Sequence, residues 1–265
     1  MHTAFRSFAW KAALLSSMMP LLVSAASQAH AVRQLSPQPT SAANSAMGMP
    51  VSGAVPGRIG TPSPGILPKR LRTLPFALTL VGRADDVLVS EDSLTLVAPK
   101  GSDLFAPADA PPKDSAPRVT FTPQGDFIFS ARVARPENGK YEGGALIIAT
   151  STDRWAKVLF ERLNDTTHAV SSSVAAPVSD NAYHMRLPAS AAAVWLKIVR
   201  VGGSVMLYAS EDGSRWQILR DFPLSRSATV EVGFVSQSPD GDHYAARFSD
   251  IRYEAKSLKD YWQGT

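Results

Sequence analysis

From residue 70 onward the chain breaks into short β-favouring runs separated by turn residues at roughly 8–12-residue spacing, and no helical repeat competes with them. The runs cover residues 74–81, 93–98, 118–122, 126–134, 143–150, 154–162, 167–174, 193–201, 204–210, 215–222, 229–237 and 244–253. About twelve strands exceed a minimal immunoglobulin sandwich and predict an all-β jelly roll of two packed antiparallel sheets. The turns support this. Val201-Gly202-Gly203-Ser204, Glu211-Asp212-Gly213-Ser214 and Pro239-Asp240-Gly241-Asp242 each offer the positive-φ positions that tight hairpins need. With no cysteine in 265 residues, neither disulfides, thiolate metal sites nor a cysteine nucleophile is available, so the fold must stand on its core.

The region before residue 70 reads differently. Arg6 and Lys11, the apolar run over residues 12–26 and the small-x-small triplet Ala29-His30-Ala31 predict a signal peptide over residues 1–31, with a mature chain starting at Val32. Ser16, Ser17, Pro20 and Ser24 interrupt the run, which is shorter than the ~20 apolar residues of a membrane span. No later run reaches that length, so no span is expected in the mature chain. Residues 32–69, rich in Pro, Ser, Ala and Gly, predict a disordered linker, because such a composition cannot offset ~1–2 kcal/mol of backbone entropy per residue. The sandwich is expected over residues 70–255 and a C-terminal tail over residues 256–265, where Tyr261 and Trp262 suggest docking.

Charge excludes one class of partner. Removing the leader's Arg6 and Lys11 from the 27 basic residues leaves 25 against 23 acidic, a weak net +2. The only basic cluster, Lys69-Arg70-Leu71-Arg72, reads as the solvated end of a linker, so no nucleic-acid partner is expected.

Alternation assigns faces to the strands. Phe127, Phe129, Ala131 and Val133 point to the core in one run; in another, Ala156, Val158 and Phe160 do so, leaving Trp155, Lys157, Leu159 and Glu161 on the opposite face. An aromatic plane beside charged hydrogen-bonding groups complements a sugar ring, which has an apolar face and a rim of hydroxyls. Trp155, Lys157 and Glu161, with Tyr208 and Arg200 from later strands, are therefore the candidate ligand-binding set on a concave face. The competing reading is a cross-strand Lys157–Glu161 salt bridge. Trp195 is expected in the core, and the Asp212 hairpin is expected to be structural, with Trp216 packed beneath it.

Catalysis has less support. A glycoside hydrolase needs two carboxylates about 5–9.5 Å apart, and Glu142, Glu161 and Glu231 lie on separate candidate strands without acidic neighbours at spacing two. His168, His184 and His243 lack metal-ligand spacing, and Asp240-Gly241-Asp242 falls short of a calcium site, so no metal and no cofactor is expected.

Six segments occur in an order seen in one family: Ser90-Glu91-Asp92-Ser93-Leu94-Thr95-Leu96 leading to Gly101-Ser102-Asp103-Leu104-Phe105; Gly125-Asp126-Phe127-Ile128-Phe129; Gly143-Gly144-Ala145-Leu146; Trp155-Ala156-Lys157-Val158-Leu159-Phe160-Glu161; Val194-Trp195-Leu196-Lys197; and Tyr208-Ala209-Ser210-Glu211-Asp212-Gly213-Ser214-Arg215-Trp216. Over about residues 74–253 the chain resembles the domain-of-unknown-function family of concanavalin A-like sandwiches sometimes labelled "regulation of enolase". Leu104-Phe105 stands where many relatives carry aromatic pairs. The resemblance implies a jelly roll related in shape to lectins, laminin-G-like domains and the C-terminal sandwiches of some glycoside hydrolases; it implies no particular activity. The resulting expectation is an exported, non-enzymatic module, periplasmic or extracellular, that binds carbohydrate or a cell-envelope surface. The alternatives are a polysaccharide-acting hydrolase using carboxylates from separate strands and a structural module with a protein partner.

Overall fold

The computed structural model describes residues 65–137 and 139–265. The leader expected over residues 1–31 and the linker up to residue 64 lie outside the described residues. Two large antiparallel sheets pack as a β-sandwich. In spatial order the first sheet, A, contains β1 (Gly65–Ile66), β2 (Thr79–Val81), β7 (Arg118–Phe121), β16 (Glu231–Gln237), β9 (Gly143–Ser151), β10 (Arg154–Arg162), β11 (Thr167–Ala175) and β12 (Ser179–Pro188). The second, B, contains β15 (Gln217–Pro223), β14 (Ser204–Ser210), β13 (Ala193–Val201), β8 (Phe127–Ala134), β17 (His243–Glu254), β4 (Leu94–Pro99) and β3 (Asp86–Val89). A small ribbon joins β5 (Leu104–Phe105) to β6 (Lys113–Asp114). Among the described residues no helix is long and apolar enough to cross a membrane.

The alternating pattern builds the space between the sheets. Leu94, Leu96 and Ala98 on β4, Phe127, Phe129, Ala131 and Val133 on β8, and Ala156, Val158 and Phe160 on β10 are all buried. At its centre the Phe129 ring meets Phe121 at 5.1 Å and Phe234 at 5.3 Å, both edge to face, an arrangement the ring quadrupoles favour.

The outward faces are less exposed than simple alternation predicts, because two further segments cover them. On sheet A the β5–β6 ribbon lays Leu104 and Ala106 over Ile147, Trp155, Leu159 and Val235, forming a second apolar cluster. On sheet B the C-terminal segment packs Leu258 against Ile128, Val199, Met206 and Tyr208. The Lys197 ammonium there donates to the Gly264 carbonyl at 2.8 Å, and the Tyr208 hydroxyl donates to the Tyr261 carbonyl at 2.7 Å. Gly264 has φ +63°, and a Cβ at that position would lie 3.1 Å from the Tyr208 ring, so a glycine is needed for the segment to lie flat there. The tail thus docks through Leu258 and its backbone carbonyls, while the Trp262 ring from which docking was expected stays exposed.

Other expectations need adjusting. Gly65–Ile66 pair with β2, and Leu67 N–H donates to the Leu78 carbonyl at 2.8 Å, so the paired backbone begins by residue 65 rather than 70. Backbone pairing needs no apolar side chain, which hides it within a Pro/Gly-rich composition. β3 and β12 fall outside the twelve runs because they are edge strands; β12 is largely exposed or half-buried and reads as polar. Trp195 is not in the core: it lies half-buried on the outer face of β13, with the Arg132 guanidinium 5.4 Å from its ring centroid and its indole N–H donating to Asp250 Oδ2 at 3.3 Å. The Asp212 hairpin is structural as expected, with Oδ1 accepting backbone N–H bonds from Ser214 and Arg215, both at 2.8 Å.

Candidate functional site

The ribbon covers only part of the outer face of sheet A, and the uncovered remainder is polar. Register explains which side chains meet there. Lys157 lies between Ile147 and Ser173, Leu159 between Ala145 and Ser171, and Ser173 and Ser171 in turn pair with Asn181 and Tyr183 on β12. Because side chains two apart share a face, one surface collects Lys157, Glu161, Ser171, Ser173, Asn181 and Tyr183. Phe105, Asp103 and Lys113 from the ribbon, with Tyr141, Gln237 and Asp240, wall this surface into a cleft of about 420 Å³.

The floor of the cleft is held by a connected set of hydrogen bonds. The Lys157 ammonium donates to the Leu104 carbonyl and to Gln237 Oε1, both at 2.6 Å, and Gln237 Nε2 donates to the Tyr141 carbonyl at 2.9 Å. Tyr141 itself has φ +62°, an unusual conformation for a non-glycine residue and one that tends to occur at functional sites. Ser171 Oγ donates to Glu161 Oε1 at 2.5 Å, and Ser173 Oγ donates to Asn181 Oδ1 at 2.5 Å. Glu161 Oε2 has no hydrogen-bond partner among the described residues, and it is not among the fully buried unpartnered atoms either. It is therefore left to accept from an incoming donor.

Lys157 and Glu161 are only 3% and 5% exposed, yet among the described residues no ion pair joins them. This disposes of the cross-strand salt bridge: four residues apart on one strand, the two groups are too far separated, and each finds a local partner instead. Burial lowers the Lys157 pKa, opposed by the charges of Asp103 and Glu161. Burial likewise raises the Glu161 pKa, while the Ser171 hydroxyl and the Lys157 charge pull it down and Asp103 pushes it up. Two desolvated groups of opposite sign thus sit in one cleft beside a rim residue, Tyr183, that remains 54% exposed.

The expected binding set divides. Lys157 and Glu161 come together as predicted. Trp155 shares their face, with the Lys157 ammonium 5.8 Å from its ring centroid, but Leu104 and Ala106 roof it and leave it 5% exposed, so it cannot stack on a ligand. Tyr208 and Arg200 lie on the other sheet. Tyr208 is buried under the C-terminal segment, and the Arg200 guanidinium donates to the carbonyls of Arg226 and Ala228 at 3.0 and 2.9 Å. Alternation ranks faces within one strand but cannot say which sheet a later strand joins.

Sequence reasoning missed Asp103, Tyr141, Gln237, Ser171, Ser173, Asn181 and Tyr183. The run Ser171-Ser172-Ser173 was the available signal, because three hydroxyls in the middle of a strand buried on both faces demand polar partners. The others arrive from loops and an edge strand, where periodicity carries no information.

Comparison with known proteins adds the following. The family model described as "Protein of unknown function (DUF1349)" matches residues 84–256. A functionally unknown protein from Saccharomyces cerevisiae superposes with a TM-score of 0.62 at 19% identity, covering 68% of this chain and 97% of that one. The GH43 BlXynB protein from Bacillus licheniformis superposes with a TM-score of 0.50 at 16% identity, covering 68% of this chain but only 37% of that longer one. At these identities the likeness is one of fold. No curated protein matches the sequence.

Proposed function

The chain belongs to the family described as protein of unknown function (DUF1349), and from the cleft its sandwich carries we propose that it binds carbohydrate through the outer face of sheet A. The observation that carries this reading is the pair Lys157 and Glu161, buried on the cleft floor without pairing to each other. Buried charges are costly unless they are hydrogen-bonded, and a carboxylate with one oxygen left free is suited to a ligand hydroxyl. Asn181 and the serines supply further fixed polar groups, and the exposed Tyr183 ring at the rim offers an aromatic plane for the apolar side of a sugar. We take the sandwich as a concanavalin A-like jelly roll. The leader expected over residues 1–31 would place the cleft in the periplasm or outside the cell, where glycans and envelope surfaces are met.

One observation favours a second reading, a polysaccharide-acting hydrolase. Glu161, with its pKa raised mainly by burial, shares the cleft with the Asp103 carboxylate, and glycoside hydrolysis uses two carboxyl groups of which one has a raised pKa. A glycan-array and insoluble-polysaccharide screen of the full chain, with reducing-end release assayed on each hit, separates the two. Retention without new reducing ends supports the binding module. Release that is lost in both Glu161→Gln and Asp103→Asn replaces it with the hydrolase.

A further inference from the structure

A second cavity, of about 590 Å³, opens where β8 and β10 end and β11 and β13 begin, away from the Lys157–Glu161 cleft. Its walls are strongly basic. Arg132 and Arg247 come from β8 and β17, Arg135 from the segment after β8, and Arg162 from the end of β10. Among the described residues only two carboxylates line the cavity, Glu137 and Asp165. Asp165 meets Arg162 at 2.5 Å, and Glu137 lies 3.6 Å from Arg247. Four guanidiniums against two carboxylates leave two positive charges unmatched, and among the described residues Arg132 and Arg135 have no carboxylate partner.

His168 lines the same cavity. It is 2% exposed, and its Nδ1 is the one fully buried side-chain polar atom without a hydrogen-bond partner among the described residues. Its ring is held edge to face on Phe160, with centroids 5.5 Å apart. Burial and the neighbouring Arg162 and Arg135 charges lower its pKa. An imidazole with an unpartnered nitrogen is therefore set among guanidiniums that outnumber the carboxylates lining the same cavity.

We propose that this cavity binds the dianionic phosphoryl group of a phosphate monoester, with the unmatched Arg132 and Arg135, joined by Arg162 and Arg247, around its oxygens and His168 in the wall. Guanidinium forks match phosphoryl oxygens in planar, paired hydrogen bonds, and a dianion balances the two unmatched charges. The cavity is much larger than a bare oxyanion needs, which leaves room for the organic part of the ester. This inference goes beyond the carbohydrate reading and rests on different residues.

The test is isothermal titration of the full chain at pH 7.5 and low ionic strength with inorganic phosphate and with glycerol 3-phosphate. Saturable binding of both is expected. The double variant Arg135→Gln with Arg247→Gln should weaken each at least tenfold while keeping the far-UV spectrum and melting temperature of the wild type. Absence of saturable binding to the wild type, or equal affinity in a folded double variant, overturns the site. Phosphate that binds while the ester does not overturns the monoester assignment. A competing neutral glycan bound at the Lys157–Glu161 cleft should be unaffected by the double variant, so the two readings fail separately.

Discussion

Replacing Lys197 by methionine should change the pH dependence of stability in a direction and amount that the structure specifies. Lys197 is buried under the C-terminal segment; its ammonium donates to the Gly264 carbonyl at 2.8 Å and lies 3.7 Å from the Trp216 ring centroid. Burial lowers its pKa from 10.5 to about 8, with Glu254 opposing and Lys256 and Arg252 assisting. The folded value lies below the unfolded one, so between the two the unfolded chain binds more protons, and this group's contribution to stability rises with pH. At pH 7 lysine is protonated in both states and the contribution is near zero. At pH 9.5 the same two values give about 2 kcal/mol, or roughly 0.7 M in urea midpoint for a slope near 3 kcal/mol per M. Urea denaturation of wild type and Lys197→Met at pH 7, 8, 9 and 9.5 measures this directly. Other groups that titrate in the range are common to both proteins and cancel in the difference. The wild type should gain on the variant by about 2 kcal/mol across the series. Parallel curves would refute the buried, desolvated lysine and with it the docked tail.

Three further outcomes follow from the assignments above. Trp155→Ala should cost ~3–5 kcal/mol, because the ring is sealed between sheet A and the ribbon; thermal denaturation should show a fall of roughly 6–20 °C. Tyr208→Phe should cost about 1 kcal/mol by leaving the Tyr261 carbonyl without its donor, and hydrogen exchange should show faster opening confined to the tail. Arg200→Met should cost about 2 kcal/mol in urea denaturation by stripping the loop carbonyls of Arg226 and Ala228, with no change in glycan affinity.

How much of this was legible in the sequence depended on which physical signal each residue leaves. Period-two alternation placed the buried faces of β4, β8 and β10 correctly, because the space between the sheets excludes water from every second side chain. The same alternation put Lys157 and Glu161 on one outward surface, and the structure places both on that face of sheet A. It failed for Trp155 because a two-stranded ribbon about forty to fifty residues earlier in sequence folds back across it, a long-range event with no periodic trace. It failed for Tyr208 and Arg200 because strand order is set by sheet pairing, which places β13 and β14 on sheet B. The tail was visible only as two aromatic residues; what it covers, a buried lysine among aromatic rings, appears only once the outer face of β13 is assembled.

The central claim is that the cleft around Lys157 and Glu161 binds sugar. Its most direct test is titration of the full chain with a glycan taken from the binding screen, in wild type and in a Glu161→Ala, Tyr183→Ala double variant whose fold is checked by circular dichroism. The account predicts saturable binding that weakens at least tenfold in the double variant while the spectrum stays unchanged. Equal affinity in a folded double variant would contradict it and move the glycan to another surface.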